Sequence, residues 1–212
     1  MISLLAIIII SYLVGAFPSG IVLGKLFKGV DVRQHGSKNM GATNVFRVLG
    51  AKLAIPVFLL DLLKGTLAVV LFAYINFGDM SISLNWLKII AGIAAILGHV
   101  FPVWIGFKGG KGVATAAGVL LGLMPLEFGF AIGLFAIVVA ITRYVSLGSI
   151  LGALFVPCAL IAEKSYLGVK VPDSYLVLAF ILAVTVVVTH RQNIKRLARG
   201  EENKFGRKTD KA

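Results

Sequence analysis

A chain of 212 residues that is 58% hydrophobic and only 14% charged, with mean hydropathy +0.96, is not an ordinary soluble domain, where about a quarter of residues are charged. The net charge of +12 does not point to nucleic acid, because Lys and Arg lie between and after the apolar runs, as orientation signals and as a surface for anionic lipid or substrate. The single cysteine, Cys158, excludes an internal disulfide and a cysteine-clustered metal site, and inside an apolar run it reads as a small buried core residue.

A hydrocarbon core of about 30 Å takes about 20 apolar residues per helix. On that length the chain predicts an all-α integral membrane protein, a bundle of seven transmembrane helices forming one polytopic domain over residues 1–212. The spans fall near 2–24, 53–76, 86–105, 112–123, 125–142, 147–163 and 174–190. The first has no positive segment before it and runs on to Gly24, so it is expected to stay as a span and not to leave as a signal peptide. The fourth is short, and only Met124 and Pro125 part it from the fifth; a single span broken at Pro125 would give six.

Orientation follows from the basic residues. Seventeen of the 21 Lys and Arg fall in the loops 25–52 and 106–111, at Arg143 and in the tail 191–212; Lys88, Lys164 and Lys170 fall on the other side, and Lys64 inside a span. This asymmetry predicts a cytoplasmic C-terminus and an N-terminus outside, which requires an odd number of spans and so agrees with seven. The tail, with eight basic and three acidic residues, is expected to lie as a short amphipathic or frayed end on the membrane surface.

The predicted cytoplasmic segments carry the polar chemistry. Gly36-Ser37-Lys38-Asn39-Met40-Gly41-Ala42-Thr43-Asn44, followed by Arg47, offers hydroxyls and amides suited to a polyoxygenated head group; taken alone, a capped turn is its plainer reading. Next come His99 and the run Lys108-Gly109-Gly110-Lys111-Gly112, which leads through Val113 and Ala114 to Thr115 and into a helix. Glycines let backbone N–H groups converge on an anion, and a helix N-terminus and two lysines add positive charge. The run is a phosphate cradle or a flexible basic loop, and it is not a Walker A sequence.

Further along, Arg143, Ser146 and Ser149 bracket a tight turn, where they either join an anion site or cap two helices. His190 and Asn193 share a helix face at the start of the tail. Asp61 and Lys64 lie at i and i+3 within the second span, where an ionisable pair is either functional or an internal pairing. His35 carries no assignment.

Three of these segments together resemble the bacterial acyl-phosphate:glycerol-3-phosphate acyltransferases. Gly36-Ser37-x-Asn39-x-Gly41-Ala42-Thr43-Asn44 is similar to the first family motif, and Gly98-His99-x-Phe101-Pro102 with Phe107 to Thr115 to the second. His190-x-x-Asn193-Ile194-x-Arg196-Leu197 with Gly200-Glu201 is similar to the third. Asp61-x-x-Lys64-Gly65 and Arg143 to Ser149 also match family patterns, and order, spacing and length agree over nearly the whole chain. Lys38 departs from the pattern, in which glycine is more often expected.

The resemblance implies transfer of an acyl group from acyl phosphate to the 1-hydroxyl of glycerol 3-phosphate, giving lysophosphatidate and phosphate, by a multi-pass enzyme of the bacterial inner membrane. The implied catalytic residues are Ser37, His99, Lys111, His190 and Asn193. Implied substrate contacts come from Asn39, Thr43, Asn44, Arg47, Lys64, Lys108, Gly109, Gly110, Gly112, Thr115, Arg143, Ser146 and Ser149. Within these, Lys108 to Thr115 are assigned to the acyl phosphate, and Ser37, Asn44, Arg47 and Lys64 to glycerol 3-phosphate.

The proton acceptor stays open between His99, His190 and the departing phosphate. No cofactor, metal or obligate protein partner is implied. None of the three histidines is followed by aspartate at the fifth position, which disfavours the His-x4-Asp glycerolipid acyltransferases. A transporter of an anionic solute is the rival from another class. It would place its site nearer the midplane between repeats, and the sequence has no internal repeat. A CDP-alcohol phosphotransferase would need clustered aspartates, and the nine acidic residues are scattered.

Overall fold

The computed structural model describes residues 1–78 and 81–206. The sequence-based expectation for the tail therefore lies, over 207–212, outside the described residues. In chain order the helices are α1 (Ile2–Gly15), α2 (Ser19–Lys28), α3 (Ala42–Leu49), α4 (Ala51–Val70), α5 (Leu84–Val100), α6 (Val113–Leu123), α7 (Pro125–Thr142), α8 (Val145–Tyr166), α9 (Asp173–Thr189) and α10 (Arg191–Ala198).

Five segments are long and apolar enough to cross a membrane: Ile2–Lys28, Ala51–Tyr74, Leu84–Ile105, Pro125–Thr142 and Val145–Tyr166. α9 and α10 join at a bend of 60°, and that pair makes a sixth if taken as one span. The expected fourth span, read from the sequence as short, is the apolar helix α6, which is not among these. α6 has 11 residues, about 16 Å at 1.5 Å per residue, roughly half of a hydrocarbon core. It stops where Met124 leaves helical geometry, and Pro125, which has no N–H to donate, opens α7 in its first turn.

The chain folds as two compact units, residues 1–123 and the segment from Met124 onward. In the first unit α4 packs most extensively on α6, and α1 on α5. Lipid is as apolar as leucine, so helices in a bilayer associate by close packing of small residues. Gly65 and Gly118 supply this across the α4–α6 contact. A Cβ on Gly65 would run into the Thr115 carbonyl, and one on Gly118 into the Leu62 carbonyl. Near the other end of α4, Ala54 and Val57 join Ile21, Val32, Met40 and Val45 in a buried apolar cluster that seats the loop before α3.

In the second unit α8 packs against both α7 and α9, and α10 touches α9. α7 buries Ala131 alone, as expected of a helix whose apolar surface faces lipid on most sides. Cys158 on α8 is exposed, not buried as its apolar surroundings suggested. A small apolar side chain is as well solvated by hydrocarbon as by a protein core, so its neighbours in sequence do not fix which way it faces.

Candidate functional site: a cation-rich helix-end cluster

The loop before α3 is built by its own amides. Asn44, 1% exposed, points back from α3, and its Nδ2 donates to the carbonyls of Val32 (2.8 Å), His35 (3.1 Å) and Asn39 (2.8 Å). Its Oδ1 accepts the Ser37 N–H at 2.8 Å. Asn39 Oδ1 accepts the Gly41 N–H at 2.8 Å and so sets the entry to α3. Of the residues expected to touch substrate, Asn44 therefore has its whole side-chain amide, and Asn39 its amide oxygen, occupied in folding the segment that presents Ser37. Ser37 itself is exposed, and Thr43 and Arg47 are half-buried on α3. Upstream, Asp31 accepts from Arg33 twice through the guanidinium, at 3.0 and 2.7 Å, and once through the backbone N–H. The hydrogen bonds from Arg33 hold its carboxyl far below the usual carboxylate range.

The second loop doubles back on the end of α5. Gly109 N–H donates to the Val100 carbonyl and Gly110 N–H to the His99 carbonyl, each at 3.1 Å, and Phe107 N–H donates to the Pro102 carbonyl at 2.9 Å. The amides of Gly109 and Gly110, expected to point at an anion, instead satisfy carbonyls that the helix end leaves without partners. The anion-binding potential of the run then rests on the first turn of α6 and on Lys108 and Lys111, exposed and half-buried respectively. Gly110 has to be glycine for a steric reason: a Cβ there would overlap Nε2 of His99. His99 is 3% exposed and lies under the loop as its floor. Thr115 is fully buried, and among the described residues its Oγ1 has no hydrogen-bond partner.

Below His99 lies an ionic cluster that joins three helices. The break between α1 and α2 leaves the Phe17 carbonyl and the Ser19 hydroxyl pointing inward. Ser19 Oγ donates to Asp61 Oδ1 at 2.9 Å, and Lys64 Nζ donates to the same oxygen at 2.6 Å and also to the Phe17 carbonyl. His99 Nδ1 stands 3.7 Å from Asp61 Oδ1. Lys64 is thus 5% exposed and committed to internal acceptors, and the expected pairing with Asp61 is what the structure has. Ser19 gave one signal in the sequence, a hydroxyl directly after Pro18 in an apolar run.

In the second unit the organising residue is Glu202. It is 7% exposed and accepts from Ser146 Oγ at 3.0 Å, Asn193 Nδ2 at 2.6 Å and Arg196 Nε at 2.7 Å. These bonds pin residues 202–205 to the start of α8, aided by Phe205 N–H donating to the Arg143 carbonyl at 2.6 Å. The sequence motif pointed to Glu201, which is exposed; an acidic pair in a basic tail was the signal for Glu202. Arg143 ends α7 in left-handed geometry, φ 63°, Ser149 Oγ donates to the Val145 carbonyl at 2.9 Å, and His190 Nδ1 lies 2.8 Å from the Val186 carbonyl.

Burial raises the Glu202 pKa, but the bonds from Arg196, Asn193 and Ser146 outweigh it and the net shift is downward. A depressed carboxyl stabilises the fold above its unfolded value and loses that contribution as pH falls through the folded one. Hydrogen exchange of residues 191–205 is therefore expected to stay protected above about pH 4.5 and to speed up progressively below it. Glu202→Gln should flatten that dependence at lower protection, and an unchanged profile would remove Glu202 from this role.

The fold and the cluster define a multi-pass membrane protein with a cation-rich, glycine-containing loop at a helix end, suited to phosphate chemistry. The chain belongs to the glycerol-3-phosphate acyltransferase family, whose sequence model matches residues 5–200. It is 44% identical to a glycerol-3-phosphate acyltransferase of Chlorobaculum tepidum, over 98% of this chain and all of that one. It is 45% identical to one of Fusobacterium nucleatum, over 93% of this chain and 96% of that one. Among solved structures it is similar to PlsY (YgiH), an integral membrane glycerol 3-phosphate acyltransferase, in its glycerol 3-phosphate form. There the TM-score is 0.84 at 41% identity, over 96% of each chain. The lysophosphatidic acid form of the same protein gives a TM-score of 0.82.

Proposed function

We propose that this chain transfers an acyl group from an acyl phosphate to the 1-hydroxyl of glycerol 3-phosphate, forming lysophosphatidate and inorganic phosphate. The observation that carries the reading is the Lys108–Gly112 loop, folded over His99 and opening into α6, close in sequence to no histidine–aspartate acyltransfer pair. Two anionic substrates repel each other in water, so the protein's main task is to hold them together and to stabilise charge growing on the leaving phosphate. Lys108, Lys111 and the α6 N-terminus suit the acyl phosphate; Ser37, Thr43 and Arg47 suit the glycerol 3-phosphate.

In the transfer, the acyl carbon gains a bond to the substrate hydroxyl oxygen and loses its bond to the phosphate oxygen. His99 and His190 are both buried, each 3% exposed, which favours the departing phosphate as the acceptor of the hydroxyl proton. The charge asymmetry along the chain supports seven membrane crossings in all, the N-terminus outside, and the loops 25–52 and 106–111 at the cytoplasmic face of the inner membrane.

The deciding experiment supplies purified protein in lipid with labelled glycerol 3-phosphate and either palmitoyl phosphate or palmitoyl-CoA. Lysophosphatidate is expected from palmitoyl phosphate alone. Product from palmitoyl-CoA would overturn the donor assignment, and no product from either, with folded protein, would overturn the enzyme.

A further inference from the structure

On the open side of the phosphate loop lies a cavity of about 450 Å³, within the range of small-ligand pockets. It is lined by Asp31, Arg33, Gln34, Lys38, Lys108 and Gly109. Only Lys108 and Gly109 are shared with the site proposed above; Arg33, Gln34 and Lys38 have no part in it.

The charges around this cavity are arranged unequally. Arg33 is held as a rigid fork on Asp31, so its position is fixed and its charge largely answered. Lys38 and Lys108 are exposed and, among the described residues, neither amine has an ion-pair or hydrogen-bond partner. Three cations against one carboxylate leave two positive charges, the complement of a phosphate dianion, and Gln34 adds an amide donor. Lys38 also occupies left-handed backbone, φ 57°, between His35, whose carbonyl accepts its N–H at 3.0 Å, and the Asn39 turn. Glycine holds that conformation without strain and a residue with a β-carbon does not. The lysine there places a charge at the cavity wall against the local backbone preference, and strained backbone of this kind clusters at ligand-holding positions.

We propose that Arg33, Gln34, Lys38 and Lys108 form a second anion subsite, which holds a phosphate dianion beside the acyl-phosphate loop. Lys108 stands on the wall of both, so a phosphate passes between them without leaving a cationic surface. Two sources fit this chemistry: inorganic phosphate leaving after transfer, or the phosphate of glycerol 3-phosphate arriving before it. That second step rests on the proposed reaction, whereas binding of phosphate does not.

The test compares wild type, Lys38→Gln, Lys38→Gly and Lys38→Arg. Inorganic phosphate binding is measured by titration calorimetry on purified protein in detergent at low salt, with no acyl donor present. Lys38→Gln and Lys38→Gly are expected to weaken phosphate binding at least threefold, and Lys38→Arg to restore it. Lys38→Gly should at the same time raise thermal stability by relieving the backbone, so the loss of binding is not a loss of fold. Added salt should weaken wild type more than the uncharged variants.

Kinetics then separate the sources. A raised inhibition constant for inorganic phosphate with an unchanged KM for glycerol 3-phosphate assigns the subsite to the departing product, and a raised KM assigns it to the arriving substrate. Equal phosphate affinity in all four proteins would overturn the subsite. Absence of lysophosphatidate synthesis in wild type would overturn the reaction while the calorimetry still reads the cavity.

Discussion

Gly109→Ala is expected to lower kcat/KM by roughly a hundredfold while the helices stay folded, because an ångström-scale misplacement of substrate-holding groups has effects of that size. A Cβ at this position would overlap the His99 carbonyl oxygen and press on Pro102 Cδ and the Val100 carbonyl. These are backbone and ring atoms, so they cannot swing aside as the end of a flexible side chain can. The Gly109 N–H bond to Val100 ties the loop to α5 at the same point. The loop must therefore lift, and Lys108 and Lys111 move with it, away from the first turn of α6. Steady-state kinetics with palmitoyl phosphate, alongside circular dichroism of the purified variant, check this. Activity within threefold of wild type would mean that the loop's seat on α5 does not set the position of its cations.

Asp61→Ala should destabilise the protein by about 3–5 kcal/mol, the usual consequence of leaving one member of a buried ion pair without its partner. Lys64 would retain the Phe17 carbonyl, and the Ser19 hydroxyl would lose its acceptor. Both groups lie where α1 breaks into α2, so the loss falls on the junction of three helices. The double variant Asp61→Ala/Lys64→Met is expected to recover much of the loss, because removing both charges leaves no buried ion to compensate. Unfolding followed by size-exclusion profile against temperature measures both. An Asp61→Ala protein as stable as wild type, or a double variant no better than the single, would show that the cluster is not a paired ionic unit.

The sequence was most informative where one physical requirement dominates. Apolar run length alone located the five full-length spans and placed the polar segments between helices, because a bilayer demands about 20 apolar residues whatever surrounds them. The glycine–lysine run was legible as a special loop because no regular element tolerates three glycines in five positions. Asp61 and Lys64 were legible as a pair because 3.6 residues per turn put i and i+3 on one face. The shortness of the fourth apolar segment was already marked in the sequence by Pro125, which ends α6 after 11 residues.

Other roles depended on partners far away in the chain. Asn44 reads as a ligand-binding amide, yet its acceptors are carbonyls 5 to 12 residues back, brought to it by the Val32–Met40–Val45 cluster. Gly109 and Gly110 read as an anion cradle, but the turn at Pro102 brings their N–H groups to the exposed carbonyls of α5. Glu202 drew no attention beside Glu201, and only the return of the tail to Ser146, 56 residues away, makes it the common acceptor of three side chains.

By itself, then, the sequence determined the solvent this protein lives in, the approximate helices and the residue types available at their ends. The tertiary structure alone decided which polar atoms are already answered within the protein and which, such as the amines of Lys38 and Lys108, have no partner among the described residues. The physical reason is that apolar burial is set locally by composition and length. Hydrogen bonds and ion pairs depend on distances of about 3 Å between groups that the chain brings together only when it folds.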